Sequence, residues 1–151
     1  MGAPEAADPS LIPDFPWPDL VGWTAIFGYL KVEANYRLLS DNLLDRSHET
    51  YVHEGTIGNA VRQTIADYPP KVTQEGNQVS AHREMNGIHP PPLFSLALGS
   101  DKPINRWQTA IWLSPCYNQT YAGVDQVDED PSAARESRIL HLLTPETERT
   151  T

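Results

Sequence analysis

Apolar residues recur at every second position in several short stretches of this chain, and the intervals between those stretches are mostly too short for helical crossovers, which points to an antiparallel sheet. Trp107, Thr109, Ile111 and Leu113 share one face of such a stretch, and alternation returns over residues 138–143. Over residues 24–34, Ile26, Leu30, Val32 and Ala34 fall opposite Lys31, Glu33 and Asn35. Val72 and Val79 flank Glu75-Gly76-Asn77, a hairpin turn whose Gly and Asn tolerate positive φ. At Asn35 the period changes: this residue can accept a hydrogen bond from a free helix amide, and Tyr36, Leu39 and Leu43 then line a helix over residues 36–47. Gly55 and Gly58 interrupt periodicity, and Tyr68-Pro69-Pro70 ends a short helix within residues 59–67. Residues 86–103, with His89-Pro90-Pro91-Pro92 followed by Phe94, Leu96 and Leu98, read as a proline-stiffened loop that either covers a pocket or simply packs. The expected class is α+β, an antiparallel sheet with helices to one side.

The 151 residues, 39% hydrophobic and 21% charged, are enough for one domain with a real core. Eleven basic residues against twenty acidic ones give a net charge of -9, so a polyanion such as nucleic acid is repelled. The apolar runs are far below the roughly 20 residues of a membrane span, and no basic-then-apolar leader opens the chain. A cytoplasmic protein without membrane contact is expected. Cys116, the only cysteine, excludes an internal disulfide and reads as inert packing in a strand-like segment. The glycosylation sequon at Asn118 is discarded for want of a secretory signal. Residues 1–20 hold five of the fourteen prolines and four acids but no base, and read as an extended connector.

The chemically informative segment is Asp45-Arg46-Ser47-His48-Glu49-Thr50-Tyr51-Val52-His53. On a helix, Asp41, Asp45 and His48 share a face, whereas His48 and His53 point about 140° apart, so both reach one ion only if the helix loosens near Thr50, as Gly55 and the β-branched Thr50 and Val52 allow. Two neutral imidazoles suit iron, zinc or copper, and adding a carboxylate with open positions gives the facial arrangement of oxygen-activating non-haem iron enzymes. A surface pair between Asp45 and His48, about 0.2 to 0.5 kcal/mol, is the bland reading and the one favoured by spacing alone. A hydrolytic zinc site is the other, although helical zinc histidines lie four apart and these lie five apart.

Residues 29–58, YLKVEANYRLLSDNLLDRSHETYVHEGTIG, resemble the iron-binding segment of Rieske-type non-haem iron aromatic oxygenases of the vanillate O-demethylase kind. LLTPETERTT at 142–151 is similar to a later strand of that catalytic domain, and ADPSLIPDFPW at 7–17 to the connector leading from the Rieske domain. The resemblance implies a helix-grip (Bet v1/START-like) fold, incomplete here, with residues 1–23 as connector from an absent Rieske domain and 24–151 as the N-terminal part of the catalytic domain. It implies that His48 and His53 bind mononuclear Fe(II), and that Asp45 is the electron bridge to a Rieske [2Fe-2S] cluster on a neighbouring subunit. It further implies a homotrimer, a reductase partner, and O2-dependent oxidation of a methoxyarene such as vanillate with release of formaldehyde. A non-catalytic helix-grip module holding an apolar small molecule is the alternative.

Two parts of the family pattern are missing. A Rieske cluster needs two cysteines and two histidines, and Cys116 is alone. The third, carboxylate ligand is expected beyond Thr151; Glu49, Glu54 and Asp125 are acids that could substitute, none at the expected place. The chain is therefore expected to be a fragment that by itself binds iron weakly and turns over nothing. His82, His89 and His141 are expected to be structural, and Trp107, Trp112, Phe94 and Leu96 to line either a cavity or the core.

Overall fold

The computed structural model describes residues 3–58, 65–127 and 129–151. It divides into two compact units, residues 1–31 and 32–151. In the first unit short 3-10 turns, Pro4–Ala6, Pro9–Leu11 and Trp17–Asp19, are separated by extended chain. Asp8 caps the second turn by accepting the Ser10 amide at 2.9 Å. The strand expected over 24–34 does not form: Ile26 is 93% exposed and Leu30 79%. Alternation marks a strand only where a neighbour supplies the ladder. Val32 has such a neighbour, exchanging backbone hydrogen bonds with Thr151 at 2.9 and 3.0 Å.

The second unit is built on one antiparallel sheet of β1 (Lys71–Glu75), β2 (Gln78–Ile88), β3 (Ile104–Leu113), β4 (Tyr117–Gln126) and β5 (Arg135–Leu142), in spatial order 1-2-3-4-5. The hairpin turns at Gly76-Asn77 as the sequence indicates. Among the described residues three α-helices accompany the sheet: α1 (Tyr36–Leu44), α2 (Glu49–Val52) and α3 (Pro92–Leu98). The class is α+β, and the architecture is the helix-grip sheet. Asn35 caps α1 by accepting the Arg37 amide at 3.0 Å, while its own amide donates to the Glu148 carbonyl at 2.9 Å. The 32–35 and 148–151 segments thus lie side by side. Among the described residues no helix is long and apolar enough to cross a membrane.

Several expectations are corrected. Residues 86–103 are not one loop, because β2 runs to Ile88 and Pro92 opens α3, where a helix-first proline loses no needed donor. Cys116 lies in the turn between β3 and β4 rather than in a strand. The short helix read within 59–67 falls partly on residues 59–64, outside the described residues; Ile65–Asp67 is a 3-10 turn. Strand β4 is an element the sequence reading passed over, because Asn118, Gln119 and Thr120 break its apolar pattern.

The apolar core is Ile65, Met85, Ile88, Ile104 and Val124, with Tyr68, Phe94 and Leu98 packed against it. Leu96 is 80% exposed, so of the aromatic and aliphatic candidates in this stretch Phe94 joins the core and Leu96 does not. In β3 the buried face is Ile104, Arg106, Gln108 and Ala110, while Trp107, Thr109 and Ile111 on the other face are half-buried. The Trp107 indole lies across its cross-strand partner Gly123 so closely that a Cβ there would overlap the ring. Gly123→Ala is therefore expected to cost about 1–3 kcal/mol by overpacking, read as a lower urea midpoint at unchanged slope.

Candidate metal centre

The helix expected over 36–47 stops at Leu44. Asp45, with extended ψ of 104°, is its C-cap, and its carboxylate accepts the Ser47 amide at 2.8 Å. Such an aspartate turn offers the backbone an alternative to the next helical bond. The chain therefore breaks before His48 rather than near Thr50, and Asp41, Asp45 and His48 do not share one helix face. A second, single-turn helix, α2, then runs between His48 at its N-cap and His53 at its C-cap.

This break changes the relation of the two histidines. Their ring centroids lie 5.4 Å apart with the planes at 59°. With a metal–nitrogen bond of about 2.1 Å, two imidazole centroids sharing an ion are at most about 6.5 Å apart, and the observed 5.4 Å is inside that bound. His48 Nδ1 is 2.7 Å from the Asp45 carbonyl oxygen. A carbonyl only accepts, so Nδ1 carries the proton and Nε2 presents its lone pair, the tautomer a metal ligand needs. The His53 ring has no hydrogen-bond partner among the described residues. The pair fits a divalent ion on the chemistry of its donors. Hydrogen bonds from the Ser47 hydroxyl and amide hold the Asp45 carboxyl below the usual carboxylate range, with smaller help from His48 and Arg83. Among the described residues no group of three His, Cys, Asp or Glu comes together.

Of the acids considered as substitutes, Asp125 accepts from the Asn105 amide at 2.8 Å in the sheet, and Glu54 is exposed beside an open groove of ≈ 520 Å³ bordered by Gly58, His89 and Pro90 to Pro92. The Glu49 carboxylate is held by other partners. It is 2% exposed and receives Arg106 Nη2 at 2.8 Å, Arg46 Nη1 at 2.8 Å and Gln108 Nε2 at 2.9 Å. Arg106, 1% exposed, also donates through Nη1 to the Ile57 carbonyl at 2.8 Å and lies over the Phe94 ring at 4.8 Å. Burial presses the Arg106 pKa down while Glu49 pulls it up. Arg46 reaches Thr120 on β4 through its other nitrogen. Reading the sequence missed this network: polar residues alternating with apolar ones on β3 look like a solvated face, and hydropathy carries no signal of a buried counter-ion.

His82 Nε2 donates to the Glu84 carboxylate at 3.1 Å and its Nδ1 lies 2.9 Å from Thr109 Oγ1, and His141 is half-buried in β5, its pKa lowered by burial and then by Arg46. Neither is near the His48 and His53 pair in the hydrogen-bond pattern.

A five-stranded antiparallel sheet accompanied by this helix pair matches the catalytic-domain fold of Rieske-type aromatic oxygenases. The chain belongs to the vanillate O-demethylase oxygenase C-terminal domain family, whose model matches residues 32–151. It is 33% identical to the vanillate O-demethylase oxygenase subunit of a Pseudomonas species over 94% of this chain and 45% of that subunit. The crystal structure of dicamba monooxygenase bound to 3,6-dichlorosalicylic acid superposes with a TM-score of 0.87 at 29% identity, covering 99% of this chain and 43% of that one. A structure of dicamba monooxygenase with non-haem iron and dicamba superposes with a TM-score of 0.71 at 27% identity, covering 99% and 41%. The chain spans less than half the length of the relatives it matches.

Proposed function

We propose that this chain is part of the oxygenase component of a Rieske-type aromatic O-demethylase, with residues 1–23 as the connector from a Rieske domain and 24–151 as the N-terminal part of the catalytic domain. The observation that carries the reading is the His48 and His53 pair, brought to 5.4 Å with the His48 tautomer set by the Asp45 carbonyl. His48 and His53 hold mononuclear Fe(II), with a carboxylate from elsewhere in the protein as third ligand. The bound ion supplies O2 activation. Asp45 orients His48 through its carbonyl and offers its exposed carboxylate to a neighbouring subunit's [2Fe-2S] cluster, as an electron bridge in a homotrimer. This chain cannot hold that cluster itself, having one cysteine.

In the overall reaction one oxygen atom of O2 enters a methyl C–H bond of a methoxyarene such as vanillate, and the other leaves as water with two electrons and two protons delivered by way of a reductase. The hemiacetal then separates into a phenol and formaldehyde. Supplying the purified full-length protein with a reductase component, O2 and vanillate, and measuring iron content, formaldehyde and phenol, tests this. Formaldehyde equal to O2 consumed is the expected result. A protein free of mononuclear iron that nevertheless binds the arene would be a carrier, and the demethylase reading would be withdrawn.

A further inference from the structure

We infer that Glu49 is a positioning residue for the metal centre: its buried carboxylate, gripped from the sheet by Arg106 and Gln108, sets the separation of His48 and His53. This rests on the metal-centre reading above and adds the device that builds the site. Helix α2 is one turn long, too short to hold itself together. An ordinary short helix is held by an apolar stripe, yet here Tyr51 and Val52 are 68% and 70% exposed. The side chains that α2 buries are Glu49 and Thr50, and both are polar. Thr50 Oγ1 accepts the buried Ile65 amide at 3.0 Å. Among the described residues, the Glu49 side chain supplies the other side-chain hydrogen bonds that α2 makes, to the two arginines and Gln108.

The grip brackets both ligands. Glu49 directly follows His48, and its carbonyl accepts the His53 amide at 3.1 Å, so the residue contacts the backbone of each histidine. The guanidinium of Arg106 holds Glu49 on one side of His53 and the Ile57 carbonyl on the other. Removing the carboxylate frees α2 to rotate or fray while leaving both imidazoles in the chain.

The test uses apo full-length protein titrated with Co(II), whose visible absorption reports ligand geometry. Glu49→Gln is expected to weaken Co(II) binding about 10- to 100-fold, the range seen when a ligand's supporting partner is removed, and to alter the absorption bands. Met85→Ala, a core truncation on the same sheet, serves as the stability-matched control and is expected to leave affinity within about twofold of wild type. The exchange pair Glu49→Gln with Gln108→Glu returns a carboxylate to the same contact and is expected to recover most of the loss. Should Glu49→Gln not fold, Gln108→Leu, which spares both ion pairs, is expected to weaken binding severalfold. Unchanged affinity and spectrum in the folded Glu49 or Gln108 variant, or an equal loss in Met85→Ala, overturns the positioning role. A wild-type protein that takes up no Co(II) removes the metal-centre reading itself, and this inference with it.

Discussion

Full-length protein carrying His48→Ala is expected to lose formaldehyde release altogether and to bind iron more than about 100-fold more weakly, beyond the range for losing a supporting partner alone. With His48 gone, the proposed ligand set keeps one imidazole and one carboxylate, and the tautomer set by the Asp45 carbonyl is lost with the ring. The fold should survive. His48 is only partly buried, and its ring bonds locally to Asp45, so the stability change should be about 1 kcal/mol, the net worth of one hydrogen bond. His53→Ala should behave in the same way, since its ring has no other partner among the described residues. His82→Ala, which removes contacts to Thr109 and Glu84 elsewhere on the sheet, should retain both iron and activity. Metal analysis, formaldehyde assay and thermal melting of the three variants decide the matter. Stoichiometric iron and undiminished turnover in His48→Ala would end the assignment.

Gly58→Ala is expected to be the most damaging single-methyl addition near the site. A Cβ at Gly58 would overlap the Glu49 carbonyl oxygen and lie 2.9 Å from both the Glu54 nitrogen and the His53 carbonyl carbon. Every one of these is backbone, so no side chain can swing aside; α2 or the segment after it must move. The Gly58 amide also donates to the His53 carbonyl at 2.8 Å, which ties the displacement directly to a proposed ligand. Overpacking of this kind costs about 1–3 kcal/mol, and metal affinity should fall with it. Gly55→Ala provides the comparison, because a Cβ there meets nothing within 4 Å. It should change stability by no more than about 0.5 kcal/mol. Equal urea midpoints and equal Co(II) affinities for the two alanine variants would show that the close approach at Gly58 has no consequence.

The elements legible in the sequence were those whose signal is local. Asn35 as a helix cap, the Gly76-Asn77 turn and the strands at residues 107–113 and 138–143 all depend on side chains acting within a few residues of themselves, and all are present. Elements whose signal lies in a partner were misread. Residues 24–34 alternate well but form no strand, because a ladder needs a neighbour. Strand β4 exists despite its polar centre, because Asn118 donates to Ser40 on α1 at 3.0 Å and Thr120 receives Arg46. On β3 the more apolar face turned out to be the less buried one, since a cation and an amide beside a buried carboxylate are more comfortable inside than hydropathy allows.

By itself, then, the order of residues determined which chemistry is available here. Two imidazoles follow an aspartate at fixed spacing, on a chain with one thiol and a surplus of acid. Spacing along an unbroken helix would hold those imidazoles about 140° apart, so it could not bring them together. The tertiary structure decided that they meet: Asp45 ends the first helix on Ser47, and Glu49, neutralised deep in the sheet by Arg106, fixes where the second begins. A buried carboxylate is stable only beside counter-charge and hydrogen-bond donors: Arg46 lies three residues away, but Arg106, which ties Glu49 to the sheet, comes from 57 residues away, and nothing in a local window of sequence announces that partner.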